Sequence, residues 1–353
     1  YMHIPFCSRR CDYCDFATWV DKTDSVDSYI EAVVTQWKYH LDSRDVEQGE
    51  EVKSIFFGGG TPNFIDAKYI VRIIDSILEH TSASSETEIT IECNPDHVTL
   101  DDIQAYVQAG VNRISLGVQS TQDHVLEYLG REHKKENVYK AIEIINCAGI
   151  ENFSCDLIYG SPVETMSDWE QTLNEIIALT PNHISAYALG VESGTPLSND
   201  IKKGIKLTTN EDDLADKYEL CEKVLSSNKY ECYEISNWAK DGYESKHNLT
   251  YWLGGDVIAL GCAAHGVIGS ERFSTPRHID AYVEKINLLK TEPQNFFINQ
   301  SAKNANQNAQ EKFALKFRTK YGYVWPESIE NSETIKQYIS MNLLASNARV
   351  NQI

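Results

Sequence analysis

What the sequence lacks narrows the class of protein first. Its 353 residues contain no uninterrupted apolar stretch near the ~18 residues that a membrane-spanning helix needs, so we expect no transmembrane segment. Positive charge is scarce, because 32 Lys and Arg stand against 52 Asp and Glu, giving a net charge of -20. Nucleic acids and membrane surfaces are negatively charged and attract basic proteins. We therefore expect neither as a general partner.

The cysteines lack the pattern of a disulfide framework. Their number, nine, is odd. Six lie inside strand-like or helix-like runs rather than at loop spacings: Cys93, Cys147, Cys155, Cys221, Cys232 and Cys262. This usage is typical of reduced thiols, and it predicts a reducing compartment, the cytoplasm.

Short apolar runs alternate with amphipathic stretches through the first half of the chain. The strand candidates are MHIPF, VKSIFFGGG, EITIEC, NRISLGV, NFSCDLIYG and HISAYALG. Helical periodicity predicts helices over Val26 to Leu41, Tyr69 to Leu78, Ile103 to Val107, Val138 to Cys147 and Trp169 to Leu179. Such alternation indicates a parallel sheet in an α/β fold. Because it ends near Gly190, short of the ~250 residues of an eightfold barrel, we predict a partial, six-unit (β/α)6 barrel.

The pattern changes after Gly190. A turn-rich stretch is followed by a predicted helix from Leu214 to Leu225, and YECYEISNW and DVIALGCAAHG are predicted strands of a smaller α+β unit. We therefore divide the chain into a barrel domain, residues 1–190, and a C-terminal α+β region, residues 191–353. From Asn295 onwards the sequence is polar and predicts no element.

Three cysteines are crowded into the loop after the first strand candidate: Cys7, Cys11 and Cys14. Zinc sites usually take four ligands from paired C-x2-C knuckles, and no second knuckle lies near by. Three closely spaced thiolates without a fourth suit a [4Fe-4S] cluster with one iron open to a further ligand. The alternatives are a zinc site and three unrelated buried cysteines.

The spacing C-x3-C-x2-C, with Tyr13 before the last cysteine, resembles the signature of the radical SAM superfamily. Further motifs stand in the order of its coproporphyrinogen oxidase-like branch: YMHIPFC, FFGGGTP, IECNP, SLGVQS, GRE, DLIYGSP and HNLTYW. The resemblance extends from Tyr1 as far as Gly266. It implies a radical SAM barrel with a [4Fe-4S] cluster on Cys7, Cys11 and Cys14, and S-adenosyl-L-methionine (SAM) on the open iron.

The resemblance also implies which residues contact the cofactors. The glycine-rich turn from Gly58 to Pro62 leaves its backbone bare, so a ligand can approach it closely. By resemblance, Gly59, Gly60 and Thr61 hold the amino-acid end of SAM. The other implied cofactor-binding residues are Tyr1, Tyr13, Glu92, Gln119, Arg131, Asp156 and Ala188. Without the resemblance, the turn would be only a turn and the polar residues solvated.

HNLTYW, His247 to Trp252, matches the H-N-x-x-Y-W pattern of HemW-type heme chaperones within this branch. His247 is a reasonable axial ligand for heme iron, with Tyr251 and Trp252 as flat contacts. The alternative is a structural histidine at a strand–turn junction. His265 in CAAHG is a second candidate, for which a buried structural role is the simpler expectation.

The resemblance leaves a chaperone and an enzyme to choose between. The pattern that marks the decarboxylases of the branch is C-x3-C-x2-C-x-C, with a further cysteine two positions after the third. In this chain Phe16 occupies that position. We therefore predict a heme chaperone that transfers heme to acceptor proteins. The alternative is an oxygen-independent coproporphyrinogen III oxidase, which decarboxylates propionates, and a methyltransferase or heme-opening enzyme is a third reading. Covalent attachment of heme near Cys232 or Cys262, and a homodimer, stay open.

Overall fold

The computed structural model describes residues 1–43, 45–269, 271–289, 298–302 and 305–322, with positions 333, 337 and 340 beyond them. The strands are β1 (Met2–Ile4), β2 (Ser54–Gly59), β3 (Glu88–Cys93), β4 (Arg113–Gln119), β5 (Asn152–Tyr159), β6 (His183–Ala188), β7 (Glu231–Glu234), β8 (Asn237–Ala239), β9 (His265–Ile268), β10 (Glu271–Ser274) and β11 (Ile298–Ala302). The α-helices are α1 (Val26–Asp42), α2 (Ala67–Leu78), α3 (Leu100–Gln108), α4 (Asp123–Tyr128), α5 (Lys135–Cys147), α6 (Met166–Ala178), α7 (Pro196–Lys202), α8 (Glu211–Ser227), α9 (Lys246–Trp252), α10 (Ile279–Leu288) and α11 (Ala305–Lys316).

Strands β1 to β6 lie side by side in chain order, and each neighbouring pair is parallel. The sheet has the order β1-β2-β3-β4-β5-β6-β8-β7, so β1 and β7 are its two edges and it stays open within the described residues. This arrangement confirms the predicted partial six-unit barrel. Helices connect successive strands, as parallel crossovers require.

The helices cover the outer face of this sheet with apolar stripes. In α2, for example, Ile70, Ile73, Ile74 and Ile77 are all buried, at the spacing that places residues on one helix face. The predicted helices are present, although several begin earlier than predicted. For instance, α5 begins at Lys135 rather than at Val138. The prediction missed this first turn because it is polar and carries no apolar periodicity.

The smaller unit is assembled differently from the prediction. YECYEISNW forms the hairpin β7–β8, which joins the barrel sheet antiparallel to β6, with His183 opposite Ala239. The prediction that these strands belong to the smaller unit is therefore wrong, because the open edge of β6 offers them backbone hydrogen-bonding partners. Among the described strands, β9, β10 and β11 form the separate antiparallel sheet.

The predicted division at residue 190 stays a prediction, although the main sheet itself continues across that point. Strand β11 and helix α11 lie beyond Asn295, where the sequence predicted no element. No helix in the described ranges combines the length and apolarity needed to cross a bilayer.

Candidate functional site

The cysteine loop follows β1 and is held by contacts from several neighbouring elements. Cys7 is buried, whereas Cys11 and Cys14 are partly exposed. The Thr61 hydroxyl donates to Cys7 Sγ over 3.5 Å, and Arg131 Nη1 donates to Cys11 Sγ over 3.4 Å. Donors of this kind stabilise sulfur in its negatively charged form, as a metal-bound thiolate requires.

Burial opposes ionisation of two thiols of this loop, those of Cys7 and Cys14. It raises the pKa of Cys7 to about 11 and also raises the pKa of Cys14. Such thiols ionise readily only when a metal replaces the proton. No three His, Cys, Asp or Glu side chains in the described part of the chain converge as ligands of one metal ion would. A [4Fe-4S] cluster instead binds its cysteines through different iron atoms.

The glycine turn at the end of β2 packs directly against this loop. A Cβ atom at Gly60 would lie 2.8 Å from the Ile4 carbonyl oxygen and 3.0 Å from Cys7 Sγ. Gly59 has a φ of +111° and leaves no space for a Cβ beside the His3 ring. The sequence therefore needs glycine at both positions to bring bare backbone next to the cysteines.

One cavity of about 700 Å³ collects the residues that the sequence predicted for the cluster and SAM, together with His247, the first predicted heme ligand. We call it the barrel cavity. The predicted residues on its wall are Tyr1, Cys7, Cys11, Tyr13, Cys14, Gly59, Gly60, Thr61, Glu92, Gln119, Arg131, Asp156, Ala188 and His247. These residues share one cavity. The contact of each residue with a cofactor stays a prediction.

Two carboxylates stand on the inner wall below the glycine turn. Glu92 Oε2 accepts a hydrogen bond from the Gly59 amide over 3.0 Å. Burial, and secondarily the charge of Asp156, raises the pKa of Glu92 to about 7. Asp156 accepts hydrogen bonds from three serine hydroxyls, those of Ser115, Ser154 and Ser185. These acceptors suit the ammonium and hydroxyl groups of a polar ligand.

Sequence reasoning missed other polar residues of the inner wall. Arg113, Ser115, His183 and Ser185 also line the barrel cavity. Arg113 is 2% exposed, and its Nε has no hydrogen-bond partner among the described residues. The signal was present as alternation, since polar residues recur at every second position of NRISLGVQ and HISAYA and so face one side of the sheet.

His247 lies on the helix α9 and not at a strand–turn junction. The Ser245 hydroxyl caps this helix, and the Glu88 carboxylate accepts from the amides of Lys246 and His247. The imidazole is 4% exposed and stacks on Phe56 with ring centroids 4.7 Å apart.

Both nitrogens of the His247 ring are enclosed. Nδ1 is paired with the Ser54 hydroxyl at 3.0 Å, while Nε2 is buried without a described partner. Burial lowers the pKa of His247 well below its usual value, which keeps the ring neutral. The ring faces the barrel cavity, so the predicted heme ligand lies in the same cavity as the predicted SAM residues.

His265 is placed differently. It begins β9 and is exposed, contrary to the expectation of a buried structural role. It lines another cavity of about 580 Å³, which also touches Tyr251 and Trp252 of α9. Cys262 is buried and Cys232 partly buried.

Comparisons with known proteins match the fold and the cysteine loop. Residues 1–176 match the family model of the radical SAM superfamily. The coproporphyrinogen III oxidase HemN from Escherichia coli has a similar structure, with a TM-score of 0.78, 21% identity, and coverage of 91% of this chain and 75% of HemN. This likeness shows the fold. The chain is thus a radical SAM protein, with three thiolates and a glycine cradle that fit the [4Fe-4S] cluster and SAM of that class.

Sequence relatives define the family more closely. The heme chaperone HemW of Lactococcus lactis is 34% identical over 331 residues, covering 94% of this chain and 84% of the relative. HemW of Bacillus subtilis is 35% identical over 288 residues, covering 81% and 75%. HemW of Escherichia coli is 36% identical over 271 residues, covering 76% and 69%. The chain belongs to the HemW family, which confirms the predicted resemblance.

Proposed function

We propose that this protein is a heme chaperone, which binds heme and transfers it to acceptor proteins while carrying a [4Fe-4S] cluster and SAM. The observation that carries the proposal is the 34% identity to a heme chaperone over 94% of this chain. The oxidase HemN shares the fold at only 21% identity. The proposed partners are heme, its acceptor proteins and a second copy of the chain.

The position of Phe16 supports a chaperone over a decarboxylase. Phe16 lies at the mouth of the barrel cavity with 64% of its surface exposed. It occupies the position at which the decarboxylase pattern C-x3-C-x2-C-x-C has a further cysteine. An apolar side chain there supplies no thiol beside the cluster, which favours a function without propionate decarboxylation.

The residues of the barrel cavity have distinct proposed roles. Cys7, Cys11 and Cys14 hold the cluster, whose open iron binds SAM and supplies one-electron chemistry when the cluster is reduced. Gly59 to Thr61 provide the backbone against which the amino-acid end of SAM lies, and Glu92 accepts from its ammonium group. Arg131 stabilises the negative charge on Cys11 through the contact of 3.4 Å. These roles explain why so many buried polar groups face one cavity.

The cytoplasm is the proposed location. All nine cysteines lie in the described part of the chain and all are free. Four of them are at least partly exposed: Cys11, Cys14, Cys147 and Cys232. Free thiols persist in a reducing compartment. Fractionation of cells, with the protein detected by antibody, tests this location directly.

His247 remains a predicted ligand of heme iron. Ligation at its buried Nε2 requires the stacked rings of Phe56 and Tyr1 to separate, since a porphyrin plane needs open space around the bonded nitrogen. The proposal of heme transfer does not depend on this histidine, because the family relation supports it independently.

The function is tested with protein reconstituted anaerobically with iron and sulfide. Heme and coproporphyrinogen III are offered in separate assays with SAM and a reductant, and the Soret band and carbon dioxide release are followed. We expect stoichiometric heme binding, transfer to an apo-hemoprotein and no decarboxylation. Turnover of coproporphyrinogen III without heme transfer would show that the oxidase reading is right and that Phe16 does not exclude it.

A further inference from the structure

A second cavity, of about 580 Å³, lies between α9, strands β9 and β10, the β7–β8 hairpin and α11. Its volume is within the ~300–1,000 Å³ of typical cofactor sites. It adjoins the barrel cavity, and Tyr187, Asn248 and Tyr251 contribute to both walls. None of the three cysteines of the cluster loop lines it.

Flat and bare surfaces form much of its wall. Tyr187, with 43% of its surface exposed, and Trp252 present aromatic rings. Gly269 adds backbone without a side chain, and no atom lies within 4 Å of the place that a Cβ would take there. A large planar ligand gains most from such a wall, because aromatic rings offer broad apolar contact and glycines allow close approach.

Three cations and two carboxylates, those of Glu234 and Glu311, line this cavity, whereas the whole chain has a net charge of -20. Arg272, Lys312 and Arg318 line it, and Arg272 is already paired with Glu311. Lys312 and Arg318 have no ion pair with a described residue, and the Arg318 guanidinium lies 4.9 Å from the centre of the Trp252 ring. Cations beside an aromatic wall suit a planar ligand that carries carboxylates.

His265 supplies a nitrogen at the same wall. Eight of the ten histidines have a ring nitrogen in a hydrogen bond or ion pair. The exceptions are His265 and His278, whose imidazoles have no such bond to a residue that the structure describes. Of the two, His265 faces the second cavity, and His278 lies beside Trp19 with ring centroids 5.7 Å apart. An unbonded imidazole is free to ligate a metal.

We propose that heme occupies the second cavity with the His265 imidazole as ligand to its iron, its plane against Trp252 and Tyr187, and its propionates toward Lys312 and Arg318. This inference rests on the proposed function and assigns its heme site. It differs from ligation at His247, whose ring is 4% exposed and stacked on Phe56 inside the barrel. Heme and SAM then occupy adjoining but separate cavities.

The test is a titration of reconstituted protein with ferric and ferrous heme, followed by the Soret band and by electron paramagnetic resonance. The variants are His265→Ala, His247→Ala and, as a matched control, His278→Ala, the other unbonded exposed histidine. We expect His265→Ala to lose the spectrum of histidine-bound heme and to bind heme at least about tenfold more weakly. Added imidazole restores the spectrum in this variant, and the control behaves as wild type.

A second variant keeps the test decisive if His265→Ala folds poorly. His265→Tyr retains a ligand but offers phenolate oxygen, so heme bound at position 265 must change to the spectrum of tyrosinate-bound iron. Unchanged wild-type spectra in both His265 variants, with loss in His247→Ala, overturn the site while the chaperone function stands. Wild-type protein that binds no heme at all overturns the function itself and the site with it.

Discussion

The two adjoining cavities of this protein are built in opposite ways. The barrel cavity is lined mostly by residues that follow or lie within parallel strands, and its two inner carboxylates are bonded to neighbours: Glu92 to the Gly59 amide, Asp156 to three serines. The second cavity is assembled from α9, α11, strands β9 and β10 and the β7–β8 hairpin, and its cations Lys312 and Arg318 have no ion pair among the described residues. The first suits a small polar cofactor held at many points. The second suits a large flat ligand that must also be released.

The helix α9 connects the two. His247 faces the barrel cavity, Trp252 faces the second cavity, and Tyr251 lines both. The residues of HNLTYW therefore need not all contact heme. Part of it closes the barrel, and part of it forms the wall of the neighbouring site.

The largest expected effect is the loss of the cluster and SAM from the barrel cavity, with heme binding in the second cavity retained. Cys7→Ser, Cys11→Ser or Cys14→Ser removes a thiolate ligand, so cluster iron and sulfide should fall to background and SAM binding should be lost. Heme binding should persist, because the second cavity contains none of these residues. Chemical iron and sulfide analysis checks the cluster, with Cys147→Ser on the exposed face of α5 as the control. Wild-type iron content in the loop variants would contradict the assignment.

Glu88→Ala should damage both cavities together. Glu88 is 6% exposed and accepts from the amides of Lys246 and His247 over 3.0 and 3.1 Å at the start of α9. Its loss leaves these donors unsatisfied and should lower the free energy of unfolding by about 1–3 kcal/mol. Chemical denaturation measures this effect. Glu86→Ala, which removes an exposed partner of Lys246, is the matched control and should change little; equal effects of the two would remove the special role of Glu88.

The affinity for SAM should depend on pH through Glu92 in the barrel cavity. Its pKa is raised to about 7 by burial, so the carboxylate forms as pH rises from 6 to 8. An ionised carboxylate attracts the SAM ammonium group, and the affinity should rise by up to about tenfold over this range. Isothermal titration calorimetry measures the change. Glu92→Gln should flatten the profile, and a profile that stays steep in this variant would assign the titration to another group.

The same group links pH to stability in the opposite direction. Because the pKa of Glu92 in the folded protein exceeds its usual value of 4.5, the protonated form stabilises the fold fully below that usual value. This contribution is lost as pH rises through about 7. Thermal melts of wild type and Glu92→Gln should therefore diverge as pH rises, with the glutamine variant gaining relative stability.

The smallest expected effect concerns Arg318 in the second cavity. Arg318→Ala removes the guanidinium 4.9 Å from the Trp252 ring, and with it a charge available to a propionate. We expect roughly fivefold weaker heme binding, the scale of an exposed cation–π contact, with cluster content unchanged. Arg72→Ala, on the outside of the barrel, is the control. Heme titrations that do not distinguish the two variants would place the propionates elsewhere.

The barrel could be predicted because the sequence patterns that specify it are local. Each strand is a short apolar run, each crossover helix has one apolar stripe, and the glycine turn and cysteine loop lie directly after strands. The inner wall was only partly predicted. The alternation places Arg113 and His183 on one face of the sheet, but that face is recognised as the wall of a cavity only when the curvature of the sheet is known.

The remaining errors come from partners distant in sequence. The hairpin β7–β8 joins the barrel because β6 has a free edge, and no local pattern says which sheet it should pair with. The start of α9 depends on Glu88, which precedes it by more than a hundred residues, although Ser245 before KHN is an N-cap signal that could have been read. The second cavity joins residues from Tyr187 to Arg318, so sequence alone could not assemble it.

Heme and the cluster with SAM are proposed to bind in separate cavities. The most direct test compares heme titrations of two proteins, the triple variant of Cys7, Cys11 and Cys14 to serine, and reconstituted His265→Ala. We expect stoichiometric heme binding by the cluster-free protein, and a full cluster with strongly weakened heme binding in His265→Ala. Heme binding that disappears with the cysteines and survives the loss of His265 would contradict this proposal and place heme in the barrel cavity.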